Sequence, residues 1–149
     1  MSLKVTIDKE IKNAMLNKNK LRLTALRSIK SSILLEEKNK NRNNQLNKEK
    51  EIRLLMKNIK QRKESMDIYL KQQRNDLAQI EKKEIDVISE FLPKQLSEEE
   101  IIKEIEIIIE THKANDIKDM GKIMGIASKK FAGKADNNVV AKIVKSKLI

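Results

Sequence analysis

The sequence predicts an all-α protein, with a four-helix N-terminal domain of long helices followed by a three-helix C-terminal domain. Three observations carry that reading. The 149 residues hold three glycines and one proline, too few turn residues for a β sandwich or barrel. Apolar residues recur at three- and four-residue intervals along most of the chain. The single proline, Pro93, stops one helical stripe, and Ser97-Glu-Glu-Glu100 starts the next, which divides 1–93 from 94–149.

The elements follow in order. Leu3, Ile7, Ile11 and Ala14/Met15 give a short first helix, broken at Asn17-Lys-Asn-Lys20. Leu23, Leu26, Ile29, Ile33 and Leu34 form the stripe of a second. Lys38–Lys48 carries one apolar residue, Leu46, among Asn and Lys, and reads as an exposed connection. A long third helix starts near Asn47, with Ile52, Leu55/Met56, Ile59, Met66 and Tyr69/Leu70 as its core face. Gln73-Arg74-Asn75 is a turn with Asn75 as N-cap, and Leu77, Ile80, Ile85, Ile88 and Phe91/Leu92 line the fourth helix. Ser97 and Glu100 are spaced for a capping box, each side chain meeting the other's backbone N–H. Ile101, Ile102, Ile105, Ile108 and Ile109 line the fifth helix. Asp116 or Asp119 caps the sixth, which carries Met120, Ile123, Met124, Ala127 and Phe131. Gly133 is a helix stop, Asp136 the next cap, and Val140, Ile143 and Val144 the core face of the seventh.

Composition narrows the function. Without cysteine there is no disulfide framework and no thiolate metal site, which fits a reducing compartment. Apolar runs reach only three residues, as at Ile107-Ile108-Ile109, so no membrane span is expected and the protein is expected to be cytoplasmic. The charge is +11, from 33 Lys and Arg against 22 Asp and Glu. Part of that is compositional, because Lys, Asn and Ile, all with AT-rich codons, account for 61 residues. The six arginines all precede Pro93, and the net charge is +9 up to Pro93 and +2 after it. The long-range field therefore belongs mainly to the first domain, and a basic protein of this kind invites a nucleic-acid partner.

Catalytic constellations are missing. The lone histidine, His112, falls at a helix end where a cation suits the dipole, and no nucleophile–base pair or Gly-rich phosphate loop accompanies it. Carboxylates alternate with lysines, as in Glu81-Lys-Lys-Glu84, in the manner of solvated helix faces. No catalytic residue, metal or cofactor is expected, and the chain alone is not expected to be an enzyme.

Three arginines and one segment stand out. Arg27 and Arg62 border the apolar stripes of their helices, so each is expected either to snorkel and pair with a carboxylate such as Glu84 or Asp86, or to line a cationic groove. Arg74 sits in a helix–helix turn and is a candidate for an exposed contact. Gly121 and Gly125 are four apart inside the sixth helix, at about 1 kcal/mol each relative to alanine. Their face is expected to be closely packed, against another helix or against a nucleic-acid backbone held by Lys122, Lys129, Lys130 and Lys134.

At these residues the chain resembles a known family. Leu23-Thr-Ala-Leu-Arg-Ser-Ile-Lys30, Gln61-Arg-Lys-Glu-Ser65, Arg74-Asn-Asp-Leu77, Phe91-Leu-Pro-Lys94, Lys118-Asp-Met-Gly-Lys-Ile-Met-Gly125 and Gly133-Lys-Ala-Asp136 occur in the order typical of the bacterial YqeY proteins. From about Lys94 onward it also resembles the C-terminal tail domain of GatB, the transamidating subunit of the tRNA-dependent amidotransferase, through Met120-Gly-Lys-Ile-Met124 and Gly133-Lys-Ala135. The resemblance implies the all-α two-domain layout and a link to tRNA, because the GatB tail helps hold the tRNA body. It does not imply the reaction: the carbon–nitrogen ligase label, with glutamine as amido donor, belongs to parts of the amidotransferase with no counterpart here.

Three readings follow. The first is an RNA-binding accessory protein, for tRNA or another structured RNA, reading shape through backbone phosphates. The second is a helical interaction module for amidotransferase or synthetase components. The third, a helix-turn-helix DNA binder, has only Lys142, Lys145, Lys147 and Asn137/Asn138 near its recognition helix, with no Arg or Gln to read bases.

Overall fold

A computed structural model describes residues 2–39 and 46–149. Among these, seven α-helices and one 3₁₀ turn form and no strand does: α1 (Leu3–Leu16), α2 (Lys20–Asn39), α3 (Lys48–Lys71), α4 (Asn75–Ser89), α5 (Glu98–Thr111), the 3₁₀ turn Ile117–Asp119, α6 (Met120–Lys130) and α7 (Asn137–Leu148). The all-α class is as expected. Most of the connection read over Lys38–Lys48, with Arg42, lies at residues 40–45, outside the described residues. The chain divides into two compact units, Met1–Leu92 and Pro93–Ile149, each with its own core.

In the first unit α1 and α2 run antiparallel, since early residues of one pair with late residues of the other. Lys4 binds Glu37 at 3.1 Å and Lys30 binds Asp8 at 2.6 Å. Between them Leu3, Ile7 and Ala14 close on Ala25, Leu26, Ile29 and Ile33. The α3–α4 hairpin adds Leu54, Leu55, Ile59, Val87 and Ile88 to the same core. Arg22 ties three helices by binding Glu10 of α1 at 3.0 Å and Glu90 after α4 at 2.5 Å.

The hairpin corrects one expectation. Met66, Tyr69/Leu70, Leu77 and Ile80 were read as core, yet the core stops at Ile59 on α3 and begins again at Ile85 on α4. Between residues 60 and 83 only Ala78 is buried, and Ile68, Leu70 and Ile80 are about half exposed. The physical reason is that these residues have only the opposite helix of the hairpin to pack on. Two helices alone cannot enclose a core. Leu34 is likewise exposed, whereas Ala25 is fully buried.

The second unit is a three-helix core of Ile101, Ile105 and Ile108 from α5, Ile123 and Ala127 from α6, and Val140, Ile143, Val144 and Leu148 from α7. Phe131, 2% exposed, fills its centre from the end of α6. The expected capping box opens α5: Ser97 Oγ accepts from Glu100 N–H at 3.2 Å, and Glu100 accepts from Ser97 N–H at 3.4 Å. Asp136 caps α7 through Asn138 N–H, and Asp116 caps the 3₁₀ turn through Lys118 N–H. One cap differs from the sequence reading. Asn75 is the first residue of α4 rather than its cap; Arg74 holds that position and makes no side-chain cap bond. Asp119 holds the N-cap position of α6 as expected but makes no side-chain cap bond there, its carboxylate accepting from Asn115 N–H instead.

Three helices end with a non-glycine residue in the left-handed region: Lys18 at φ 54°, Gln73 at 58° and Lys113 at 51°. At each, the next backbone N–H returns to a carbonyl five residues earlier, as Ala114 does to Ile109 at 3.0 Å. A Cβ in that region is strained, so Lys113→Gly should stabilise the chain by about 0.5–1 kcal/mol while Lys113→Ala should not. Denaturant midpoints of the two variants read the difference directly. In the small second unit, Phe131→Ala should cost about 3–5 kcal/mol. A loss under about 1 kcal/mol in the same titration would mean the ring is not the centre of that core.

Candidate nucleic-acid interface

Charge in the second unit is sorted by helix. Helix α5 carries Glu98, Glu99, Glu100, Glu104, Glu106 and Glu110 against Lys103 alone. Helices α6 and α7 carry only lysines among their charged residues, at Lys122, Lys129, Lys130, Lys142, Lys145 and Lys147. The common core holds the three helices together through their apolar stripes, so these charges stand outward. Two ion pairs join the acidic and basic sides, Lys130 with Glu104 and Lys147 with Glu106 at 2.8 Å.

Each expected lysine has a distinct place. Lys122 and Lys129 are exposed, seven residues apart on one face of α6, about 10 Å along its axis. Neither makes an ion pair among the described residues. Lys130 points away from that line and is engaged by Glu104. Lys134 is exposed on the α6–α7 loop, whose backbone is fixed at three points. Leu96 N–H donates to Lys134 O at 2.9 Å, Gln95 Nε2 donates to Gly133 O at 2.6 Å, and Lys134 N–H donates to Phe131 O at 2.8 Å. Gly133, at φ 74°, makes that turn.

The close-packing reading of Gly121 and Gly125 is corrected. Both are exposed, and a Cβ at either would meet no atom of the described residues within 4 Å. No helix among the described residues requires them to be glycine. What they leave is a bare strip of helix backbone bordered by Lys122 and Lys129.

The three arginines belong to the first unit, and they diverge. Arg27 is exposed and makes no ion pair among the described residues. Arg74 is exposed, its guanidinium forked onto Asp76 by two hydrogen bonds of 3.1 Å. The hydrogen bond from Arg74 holds the Asp76 carboxyl below its ordinary range. An anion at Arg74 must therefore compete with a carboxylate already seated there.

Arg62 is the contrast. Its side chain is 18% exposed and both terminal nitrogens are used, one on Glu84 and, at 3.3 Å, Glu81, the other on Ser28 Oγ at 2.7 Å. It takes the pairing alternative, with Glu84, and has no nitrogen tip turned to solvent for phosphate. Ser32 extends the network, donating to Asn58 Oδ1 at 3.1 Å, and the Asn58 Nδ2 is buried without a partner. Ser28, Ser32 and Asn58 were missed in the sequence. The usable signal was spacing: Ser28/Ser32 and Asn58/Arg62 are each four apart, stacking polar groups on facing helices.

Burial in this seam pushes the Glu84 carboxyl above its ordinary range; Arg62 opposes the shift, and Glu81 adds to it. A carboxyl raised on folding holds its proton more tightly in the folded chain. Its contribution to stability is complete below the ordinary carboxylate pKa and is lost as pH rises through the higher folded value. The melting temperature of the native chain relative to Glu84→Gln should therefore fall as pH rises from about 4 towards about 7. A difference that stays flat or grows over that range would rule out the raised carboxyl.

The comparisons bear on what such a molecule is. A protein from Clavispora lusitaniae named altered inheritance of mitochondria protein 41, mitochondrial, is 36% identical over 118 residues, which is 77% of this chain. The chain spans 65% of that relative's length. The family model described as Yqey-like protein matches residues 4–148, from the first turn of α1 to the last residue of α7. The chain belongs to the YqeY family.

Proposed function

We propose that this protein is a non-catalytic accessory protein that holds a structured RNA, tRNA above all, by its backbone phosphates. The observation that carries the reading is the sorted charge of the second unit, with exposed Lys122, Lys129 and Lys134 on or just after α6 and six of the unit's nine acids on α5, the other three being Asp116, Asp119 and Asp136 at helix starts. A phosphate backbone is attracted to the α6–α7 side and repelled from α5, so the unit supplies orientation as well as affinity. The bare strip at Gly121 and Gly125 gives a ribose–phosphate chain room to approach between the lysines. Lysines without arginine forks or stacking aromatics suit recognition of shape rather than sequence.

The link to translation rests on the resemblance of Met120–Met124 and Gly133–Ala135 to the GatB tail, and it carries no amidotransferase chemistry with it. We place the protein in the cytoplasm. No helix among the described residues is long and apolar enough to cross a membrane. The relative's name assigns that protein to mitochondria, a compartment with its own tRNA, which is compatible with an RNA-holding role in either setting. The second reading, an interaction module for synthetase or amidotransferase components, draws on the half-exposed Ile68, Leu70 and Ile80. A stoichiometric protein partner recovered after nuclease treatment would favour it.

The test is tRNA binding by anisotropy across a salt series, comparing the native chain with Lys122→Glu/Lys129→Glu/Lys134→Glu. If each lysine neutralises one phosphate, the slope of log affinity against log salt should fall by about 2–3 in magnitude in the variant. Lys130→Glu alone should weaken binding less, because Glu104 already engages that lysine. An affinity for tRNA no greater than for a DNA duplex of equal charge would overturn the proposal.

A further inference from the structure

The outer end of the α3–α4 hairpin is unlike the rest of the molecule. Beyond the Arg62–Glu84 pair, residues 63–83 carry five basic and four acidic side chains, a net of +1 in a chain of +11. That stretch also exposes Ile68 at 54%, Leu70 at 48% and Ile80 at 46%, and buries only Ala78. A nearly neutral surface with half-exposed aliphatic residues is a poor seat for phosphate and a good one for protein.

The charge order along α3 selects the occupant. Arg62, Ser65, Met66 and Tyr69 are partly buried, whereas Glu64, Asp67, Ile68 and Lys71 are exposed and spaced i, i+3, i+4 and i+7 along one outward stripe. None of Glu64, Asp67 and Lys71 makes an ion pair among the described residues. The stripe reads acid, acid, apolar, base. Laid antiparallel on itself about an axis between Asp67 and Ile68, it brings each Glu64 opposite Lys71 of the other copy and sets the two Ile68 side chains at the centre, with an Asp67 beside each. Each Asp67 there lies four residues before Lys71 of its own helix, which shares its positive charge with both acids. Such self-complementarity is what a two-fold interface requires, because every contact is made twice.

We infer that the outward face of α3 around Ile68 is a homodimer interface, with a second copy of this chain packed antiparallel on it and Glu64–Lys71 ion pairs setting the register. An interface of one helix pair is small, so the dimer is weak and reversible, forming between micromolar and millimolar concentration.

Sedimentation equilibrium of the full chain, from micromolar to millimolar concentration, tests this. Glu64→Lys and Lys71→Glu should each weaken dimerisation by about ten-fold or more, since each sets like charges opposite one another twice. The double swap Glu64→Lys/Lys71→Glu restores the pairing and should return to within about three-fold of the native constant. That rescue separates a contact from a folding defect. The chain has no cysteine, so Ile68→Cys is a single-site probe: a short bis-maleimide should link it into covalent dimers, while Val5→Cys, at a residue 53% exposed on α1, stays monomeric. A native chain that is monomeric at millimolar concentration would overturn the inference. So would a dimer indifferent to the single swaps, or an Ile68→Cys chain that does not cross-link.

Discussion

The first unit is organised around one partly buried cation. Arg62 lies where α2, α3 and α4 meet, and its two terminal nitrogens are held by Glu84, Glu81 and Ser28. Desolvating a guanidinium is costly unless its hydrogens are met, and Ser28, Glu81 and Glu84 meet them from the two neighbouring helices. The geometry permits few alternatives. Glu81 and Glu84, one turn apart on α4, both reach Arg62, so a shift that takes both off it leaves a cation in the seam without a carboxylate. The aliphatic contacts on either side are less particular and tolerate exchange of one methylene-rich side chain for another. The Arg62–Glu84 pair also marks a boundary. On one side lies the shared core of four helices, on the other a two-helix projection with little to bury.

The basic charge has to be read in the same local way. A net of +11 suggests one large positive surface, but many of the cations have a named partner: Lys4, Arg22, Lys30, Arg53, Arg62, Arg74, Lys130 and Lys147 all face carboxylates. Most of these pairs are partly or fully exposed and contribute little to stability. Their consequence is for binding, because a paired cation offers an incoming phosphate less. By that measure the second unit, with the smaller net charge, has the clearer anion-facing surface. Most of its acids are collected on α5, and on α6 Lys122 and Lys129 make no ion pair among the described residues, whereas Lys130 is held by Glu104.

The fold was legible in the sequence because helical periodicity, one capping box and the Gly133–Asp136 turn are local signals, and local signals survive into the structure. The site was less legible, for a reason common to its misreadings. A stripe says which face of a helix is apolar but not whether anything covers it, so Met66, Leu70, Leu77 and Ile80 read like the core residues Ile59 and Ile88. A mid-helix glycine says that a Cβ is absent but not what stands in its place, and at Gly121 and Gly125 nothing among the described residues does. An arginine at the edge of a stripe points to pairing or to solvent with equal force. Arg62 took the first course and Arg27 the second, and the difference lay in Glu84, twenty-two residues away on another helix.

These features also separate two kinds of recognition by their physics. The contacts proposed between Lys122, Lys129 and Lys134 and phosphate would release counterions, so their strength should fall steeply with salt. The contact proposed at Ile68 has an aliphatic centre and two symmetric ion pairs, and salt can screen only the latter. An oligomer built on a nearly neutral stretch is also the assembly least opposed by the charge of the whole chain, since it brings two +11 molecules together where neither is strongly positive. Keeping the neutral, half-apolar stripe on α3 and the unpaired Lys122 and Lys129 on α6 would let each proposed surface meet its requirement without weakening the other. A stripe of lysine through Ile68 would repel its copy, and a carboxylate seated on Lys122 or Lys129, as Glu104 is on Lys130, would weaken the field on which the proposed phosphate binding depends.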